Sequence, residues 1–469
     1  MESAYVRAPL ITQVPVSGRA LRSLASNHAA RYPVFFDSAA EGPLARYSML
    51  ACEPRAVLLR NAGGILRAQG WGTLAGGFLD NLEAWYRSES GSAGAHSAPK
   101  PLPFLGGWIV YLGYEVAAEI EPRLRLPAAD APCSAFALRV ANFAVYDVAA
   151  NCVYAVSEDA DAVAHARLIA DLEAADETPP VVEQRPLKLA ALEEEPEELF
   201  LARVRAAQEY IAAGDIYQAN LSRRWRLKLR DGVDAAQVYD ALRLSNPAPF
   251  AARVQVDGMS IFSSSPERLL RICGREISTR PIAGTRARHG SAEQDRRDTA
   301  ELVAHPKERA EHIMLIDLER NDLGRVCEAG SIKVDEYMVT ETYAHVHHIV
   351  SNVRGRLRAD RSPVDALRAL FPGGTITGCP KVRCMEIIAA LEGEGRGAYT
   401  GSLGWLDTDG DADFNILIRT LTMRGADIEL RAGAGIVADS IPVRELEETR
   451  AKARGLLRAF DNSPGESGR

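Results

Sequence analysis

DFNILIRTLTMRGADIELRAGAGIVADS, from Asp413 to Ser440, contains two strand candidates, DFNILIRTLTMRG and IELRAGAGIV, running into a glycine turn. Apolar and polar residues alternate along them, as expected of antiparallel strands with one covered face. The same alternation recurs in YQANLSRRWRLKL, FAARVQVDGMSIFSSS, LLRICGREISTRPI, HVHHIVSNVRGRL and YTGSLGWLDT. Helices fall in blocks between these strands, beginning with the amphipathic ELFLARVRAAQEYIAAGD, closed by Gly214. Strict strand–helix alternation would imply a parallel doubly wound sheet, whereas blocks of each predict an α+β fold. Upstream, short runs such as FALRVANFAVYDV and NCVYAVS mix with helices such as DAVAHARLIADLEAA. Two stretches read as connectors: Ser88 to Pro103, rich in Ser, Gly, Ala and Pro, and Ala174 to Glu198, with Pro179, Pro180, Pro186 and an acidic run. The second divides an N-terminal region, residues 1–185, from a C-terminal region, residues 195–460.

The chain has 469 residues, 47% apolar and 25% charged, as in ordinary globular proteins. Its net charge of −8, without a basic run or an aromatic-basic stripe, argues against nucleic-acid binding. An anionic ligand would therefore be held by local devices. Seven scattered cysteines form no C-x-x-C pair and no disulfide framework, as expected in a reducing cytoplasm. The N-terminus carries no basic-then-apolar signal, and no apolar run approaches the ~18 residues that a membrane span needs. A cytoplasmic protein without membrane partners is expected.

Two glutamate pairs with the same spacing stand out: Glu308 and Glu311 in HPKERAEHIMLIDLERNDLG, and Glu445 and Glu448 in IPVRELEETRAKARGLL. A spacing of three puts both carboxylates of a pair on one helical face. Either pair alone is more often a solvated surface. Context favours a site, because Pro306 can start the first helix and Gly324 can end it, and the second helix opens directly after the glycine turn. Two such faces brought together make an all-oxygen pocket for a hard cation, Mg²⁺ rather than Zn²⁺.

Other residues could serve the same pocket. Gly284 and Thr285, then Gly373, Gly374 and Thr375, then Gly433 and Gly435 lie in glycine-rich segments that admit close backbone approach. Arg419, ending DFNILIR, could clamp a carboxylate, and Lys381 could do similar work or cap a helix. His348 shares a strand face with core positions and could protonate a leaving hydroxyl if carboxylates lie near. Tyr399 could donate a phenolic hydrogen bond. No G-x-S-x-G, P-loop or dinucleotide fingerprint is present, and no cysteine sits in a glycine-flanked elbow. Covalent catalysis through Ser or Cys is disfavoured.

Together these segments resemble the chorismate-utilising enzyme family, which includes the large subunits of anthranilate synthase and aminodeoxychorismate synthase and their isochorismate and salicylate synthase cousins. The series runs from GDIYQANLS at Gly214 through SSSPERLL, TRPIAGT, KERAEHIMLIDLERNDLGRV, HHIVSNV, FPGGTITGCPKVRCMEII, GSLGW and DFNILIRTL to GAGIVADS and ELEETRAKAR. FFDSAAEGPLARYSMLACEP and GGWIVYLGYE match more loosely. The resemblance implies two large antiparallel sheets packed together and flanked by helices. It makes Glu311 and Glu448 the magnesium ligands, supported by Glu308 and Glu445. It places chorismate against Gly284, Thr285, Tyr399, Arg419, Gly433, Ala434 and Gly435, with Thr375 and Lys452 close by. His348 and Glu267 would assist departure of the C4 hydroxyl.

The resemblance also bears on the reaction. Water-using cousins carry a water-activating lysine where Gln218 stands, so ammonia is the expected nucleophile. With no glutaminase cysteine, a separate glutamine amidotransferase subunit is the implied partner. NPAPFAARV from Asn246, Asn220, GGWIVYLGYE and the modest length resemble aminodeoxychorismate synthases. Ala283 points the other way, because many of those enzymes have a lysine there and anthranilate synthases have alanine. The weight of segments predicts 4-amino-4-deoxychorismate, for p-aminobenzoate and folate, over anthranilate. A non-catalytic sensor is disfavoured because the ligand set is intact. Ser38, Pro249, Phe250 and Ala251 resemble the remnant of a tryptophan site. With Asp37 for the usual Glu and Phe250 for the usual Tyr, feedback inhibition is not expected.

Overall fold

The computed structural model describes residues 8–461 apart from residues 41, 43, 73, 91–99, 178–185, 288–292, 295–296, 298–299, 302–305 and 343–345. Of residues 283, 285–287, 306–308, 346 and 347 only the backbone is described.

Alternation in the sequence becomes two-sided burial in the structure. Along the strand Gly107–Leu112, Trp108, Val110 and Leu112 join one apolar cluster while Ile109 and Tyr111 join another. That is the period-two pattern of a strand covered on both faces. Among the described residues a 13-stranded and an 11-stranded sheet arise in this way, and all but one of their strand pairings are antiparallel. Val34, Met49, Val145, Ala252 and Ile261 of the larger sheet share a core cluster with Ile109, Tyr111, Phe136 and Leu403 of the smaller. The outer face of the larger sheet packs the helices Arg19–Asn27, Ala162–Glu177, Ala235–Ser245 and Pro442–Leu457. The outer face of the smaller packs Phe78–Glu89, Pro306–Gly324 and Pro363–Leu370. The architecture is α+β: two antiparallel sheets face to face, flanked by helices.

The division near residue 190 does not divide the sheets. Val34–Asp37 pairs with Phe250–Val256, and Gly107–Leu112 pairs with Ser402–Asp407. The connector read over Ala174 to Glu198 holds the end of a helix and a strand, Leu187–Glu194, paired along Gln218–Leu229. Its acidic run meets arginines: Glu194 pairs with Arg223 and Arg450, and Glu195 with Arg203. Most of the other connector, residues 91–99, lies outside the described residues.

One topological detail positions everything that follows. Met259–Ser265 and Thr420–Arg424 are neighbours in the larger sheet, and Arg268–Cys273 and Ala412–Ile416 are neighbours in the smaller. Two adjacent chain segments therefore leave one sheet for the other at the same place, through Pro266–Glu267 and Leu417–Arg419. The crossings are pinned by Ile416 N–H to Glu267 O at 3.0 Å, Ser264 N–H to Arg419 O at 3.0 Å, and Ser265 Oγ–H to Ile416 O at 2.5 Å. DFNILIRTLTMRG is thus two strands in two sheets. Arg419 lies beyond the end of the first, with φ +52.

Candidate active site

Glu267 sits at one crossing, 4% exposed. Its carboxylate accepts from Thr375 Oγ1 at 2.8 Å and from the Ile282 N–H. Burial outweighs these bonds and the nearby cations of Lys452 and Arg419, and raises its pKa to about 7. Arg419 occupies the other crossing, where burial lowers its pKa against the pull of Glu267. A carboxyl that titrates near neutrality and a partly desolvated guanidinium thus share one end of the site.

The strands Gln218–Leu229 and Asp427–Ile436 form a second wall. Gly435 is paired with Asn220 and Gly433 with Ser222. The glycines read as a turn lie inside a strand. Close packing explains why: a Cβ on Gly433 would stand 2.5 Å from Tyr399 Oη and Asn220 Oδ1, and one on Gly435 2.3 Å from Gln218 Nε2. Ala434 alternates to the opposite face and joins the core with Leu221, so only its backbone can meet a ligand. Tyr399 is not a strand residue. It lies in the turn before Ser402–Asp407, buried against this glycine run, its phenol pKa pushed up to about 12 by burial.

Two helices close the wall from either side. Pro306–Gly324 brings Glu311 to the strand, where Gln218 Nε2–H donates to its Oε1 at 2.9 Å. Pro442–Leu457 buries Leu446, Thr449 and Ala453, which turns Glu445, Glu448 and Lys452 along an adjacent stripe. Lys452 Nζ–H donates to Gly433 O at 2.9 Å and pairs with Glu448 at 2.8 Å. Glu311 therefore stands by Gly435 while Glu448 is tethered beside Gly433, two residues along the same strand. The donor set is all oxygen, the chemistry a hard divalent cation needs when it shares an anionic ligand. Among the described residues no three His, Cys, Asp or Glu are grouped as for a metal ion, and the Glu308 side chain falls outside that description.

The remaining expected residues divide. His348 is buried on the strand Val346–Arg356, paired with Thr285 on one side and Glu341 on the other. Gly284 has φ +72 at a bulge between Ala283 and Thr285, a backbone that glycine adopts without strain. The side chains of Ala283 and Thr285 are outside the described residues. Lys381 does not face the site: it opens the helix Lys381–Glu392 and forms an ion pair with Asp322. Ser38 Oγ–H donates to Tyr47 O at 2.6 Å, and Asp37 lies opposite Ala251, next to Phe250 and the buried turn residue Pro249.

Two residues of the site, Glu392 and Arg396, went unread in the sequence, and Asn220 was read only as a mark of resemblance. Asn220 presents its Oδ1 to Gly433 from the opposing strand. Glu392 and Arg396 form a buried ion pair behind Tyr399. Their spacing of four along ALEGEGRGAY was the available signal, and an oppositely charged pair at that spacing reads as a solvated helix pair.

A sequence model described as chorismate binding enzyme matches residues 64–458. The chain belongs to the chorismate-binding enzyme family. It is 43% identical over 365 residues to an anthranilate synthase component I-like protein of Synechocystis, covering 77% of this chain and 74% of that one. It is 48% identical over 271 residues to aminodeoxychorismate synthase component 1 of Bacillus subtilis, covering 58% and 57%. The crystal structure of anthranilate synthase component I from Streptococcus pneumoniae superposes with a TM-score of 0.77 at 31% identity, over 89% of this chain and 93% of that one. This chorismate-binding enzyme therefore has the fold of its relatives, and among its described residues no helix is long and apolar enough to cross a membrane.

Proposed function

We propose that this chain is the chorismate-aminating component of an aminodeoxychorismate synthase, converting chorismate and ammonia into 4-amino-4-deoxychorismate and water. The observation that carries amination is Gln218, hydrogen-bonded to Glu311 beside Gly435. A neutral amide at that place cannot activate water as a lysine can, whereas ammonia needs no such base. In this reading Arg419 grips a substrate carboxylate, and the backbone of Gly433 to Gly435 lets the ring approach closely. Glu267, protonated over much of the range below its pKa of about 7, delivers a proton to the departing C4 hydroxyl. Thr375 Oγ1–H holds that carboxyl in place. Glu311 and Glu448, with Glu308 and Glu445 behind them, would hold Mg²⁺, which supplies positive charge for the substrate carboxylate. Ammonia would come from a separate glutamine amidotransferase subunit.

A second reading has specific support. Most of the curated relatives compared are named anthranilate synthase component 1, and alanine at position 283 resembles that branch of the family. The NPAPFAARV segment and Asp37 favour the first. Product identification separates them: chorismate, Mg²⁺ and ammonium are incubated with the chain, with and without a lyase for aminodeoxychorismate. p-Aminobenzoate appearing only with the lyase is expected. Fluorescent anthranilate formed without it overturns the assignment, and turnover that survives a chelator overturns the metal.

A further inference from the structure

Behind the glycine wall lies a buried charge cluster that bonds to three segments carrying the site. Arg396 is 3% exposed. Its Nη2–H donates to Asn220 O at 2.6 Å, and its Nη1–H to Ile376 O at 3.3 Å and to Thr400 Oγ1 at 3.4 Å. Its guanidinium lies over the rings of Tyr114 and Tyr399, at 5.0 and 5.6 Å. Glu392 fixes that guanidinium by two bonds, from Nε at 2.9 Å and Nη2 at 2.7 Å. The same carboxylate accepts from Ser222 N at 2.8 Å and Ser222 Oγ at 2.9 Å, the residue paired with Gly433. The backbone N–H groups of Arg396 and Gly397 are held in turn by Glu115 Oε1, at 2.7 and 3.1 Å.

We infer that Arg396, locked by Glu392, is a positioning residue that sets the Tyr399 hydroxyl, Asn220 and the Thr375 turn in register around chorismate. Only a planar fork with several donors can reach the Asn220 carbonyl, the Ile376 carbonyl and Glu392 together while stacking on an aromatic face. A lysine keeps the charge and loses that geometry. The inference rests on the proposed reaction for its kinetic readout, but binding of chorismate, the family's ligand, reads it equally well.

The test is a double-mutant cycle. Arg396→Lys is expected to lower kcat/KM for chorismate by about 100-fold, the cost of a misplacement near 1 Å. In a Tyr399→Phe background the same change is expected to cost at least about threefold less, because one of the groups it acts through is already altered. A purely structural role would lower thermal stability and leave no such coupling. Glu392→Gln, which keeps the shape of the site, is the second variant and decides if Arg396→Lys fails to fold. It is expected to show the same coupling with a loss of about tenfold. Unchanged kcat/KM, or equal losses in both backgrounds, overturns the inference. If the wild type consumes no chorismate, the proposed reaction fails instead, and calorimetric chorismate affinity in the same cycle decides the role of Arg396.

Discussion

Glu267 and Glu392 are buried alike, at 4% and 5% exposure, and both connect to the Gly374–Ile376 turn, one through Thr375 and the other through Arg396. Burial disfavours the charged form of each. At Glu392 the guanidiniums of Arg396 and Arg431 outweigh it and hold the pKa below the usual carboxylate range. At Glu267 the opposing groups are a hydroxyl, one backbone N–H and two cations that form no direct pair with it, so burial wins and the pKa rises to about 7. The contrast separates two tasks. A carboxyl that exchanges its proton near neutrality suits acid–base work, and a permanently charged one suits holding a wall in place.

The sharpest break of that contrast is Glu267→Gln. An amide keeps a hydrogen-bond partner for Thr375 and removes the exchangeable proton. Turnover of chorismate is expected to fall about 1000-fold with the fold intact. A loss under about tenfold would show that another group carries the proton.

The same pair can be compared through stability. Glu267 takes up its proton near pH 7 when folded and near the ordinary 4.5 when unfolded, so folded chains hold more protons between those values. Its contribution is complete below about pH 4.5 and is lost as pH rises through about 7. Denaturant titrations of wild type and Glu267→Gln should diverge across that window, the wild type losing about 3 kcal/mol relative to the variant. Parallel curves would mean that the carboxyl is charged throughout.

A smaller effect tests the wall that Glu392 supports. Gly433→Ala places a methyl 2.5 Å from Tyr399 Oη and 2.7 Å from Leu221 O. Chorismate affinity, read by calorimetry, should weaken by about 2 kcal/mol, as for overpacking in a rigid site. Gly324→Ala is the control, since its nearest neighbour would be Ile332 Cδ1 at 4.0 Å. Equal effects at both positions would show that the wall yields.

Much of this geometry was legible in the residues, for physical reasons. Pro306 and Gly324 bound a helix as read, because proline suits a first turn and glycine a last. Alternation gave the strands, since each is covered on one or both faces. The crossings were not legible. DFNILIRTLTMRG reads as one long strand, and the short break in its alternation at Ile416–Leu417–Ile418 and Arg419–Thr420 does not say that the chain leaves one sheet for the other there. The proximity of Glu267 and Arg419 depends on that long-range event. Glycines 433 and 435 misled for a related reason: a glycine required by the approach of Tyr399 and Gln218 looks like one required by a turn. The pair of Glu392 and Arg396 could not be told from a solvated helix pair, because burial is set by the strands packed over it.

The least effect is expected at the region resembling a tryptophan site, and it completes the comparison of satisfied with available polar groups. There Asp37 is 5% exposed and accepts from Tyr239 Oη at 3.1 Å and Arg243 Nε at 2.5 Å. Ser38 spends its hydroxyl on Tyr47 O, and Ser264 Oγ accepts from Asn246 Nδ2 at 2.9 Å. The Phe250 ring lies under Arg268, whose guanidinium centre is 5.2 Å away and which Asp413 holds by two bonds at 2.8 and 2.9 Å. A ligand amine or carboxylate arriving here would have to displace internal partners rather than fill open valences, which forfeits the gain that binding needs. Ammonia-dependent turnover is therefore expected to be unchanged by free tryptophan, and calorimetry to show no heat of binding. Strong inhibition would mean that these internal bonds rearrange around the amino acid. That result would shift the balance toward the anthranilate reading, since a tryptophan sensor belongs on an enzyme that leads to tryptophan.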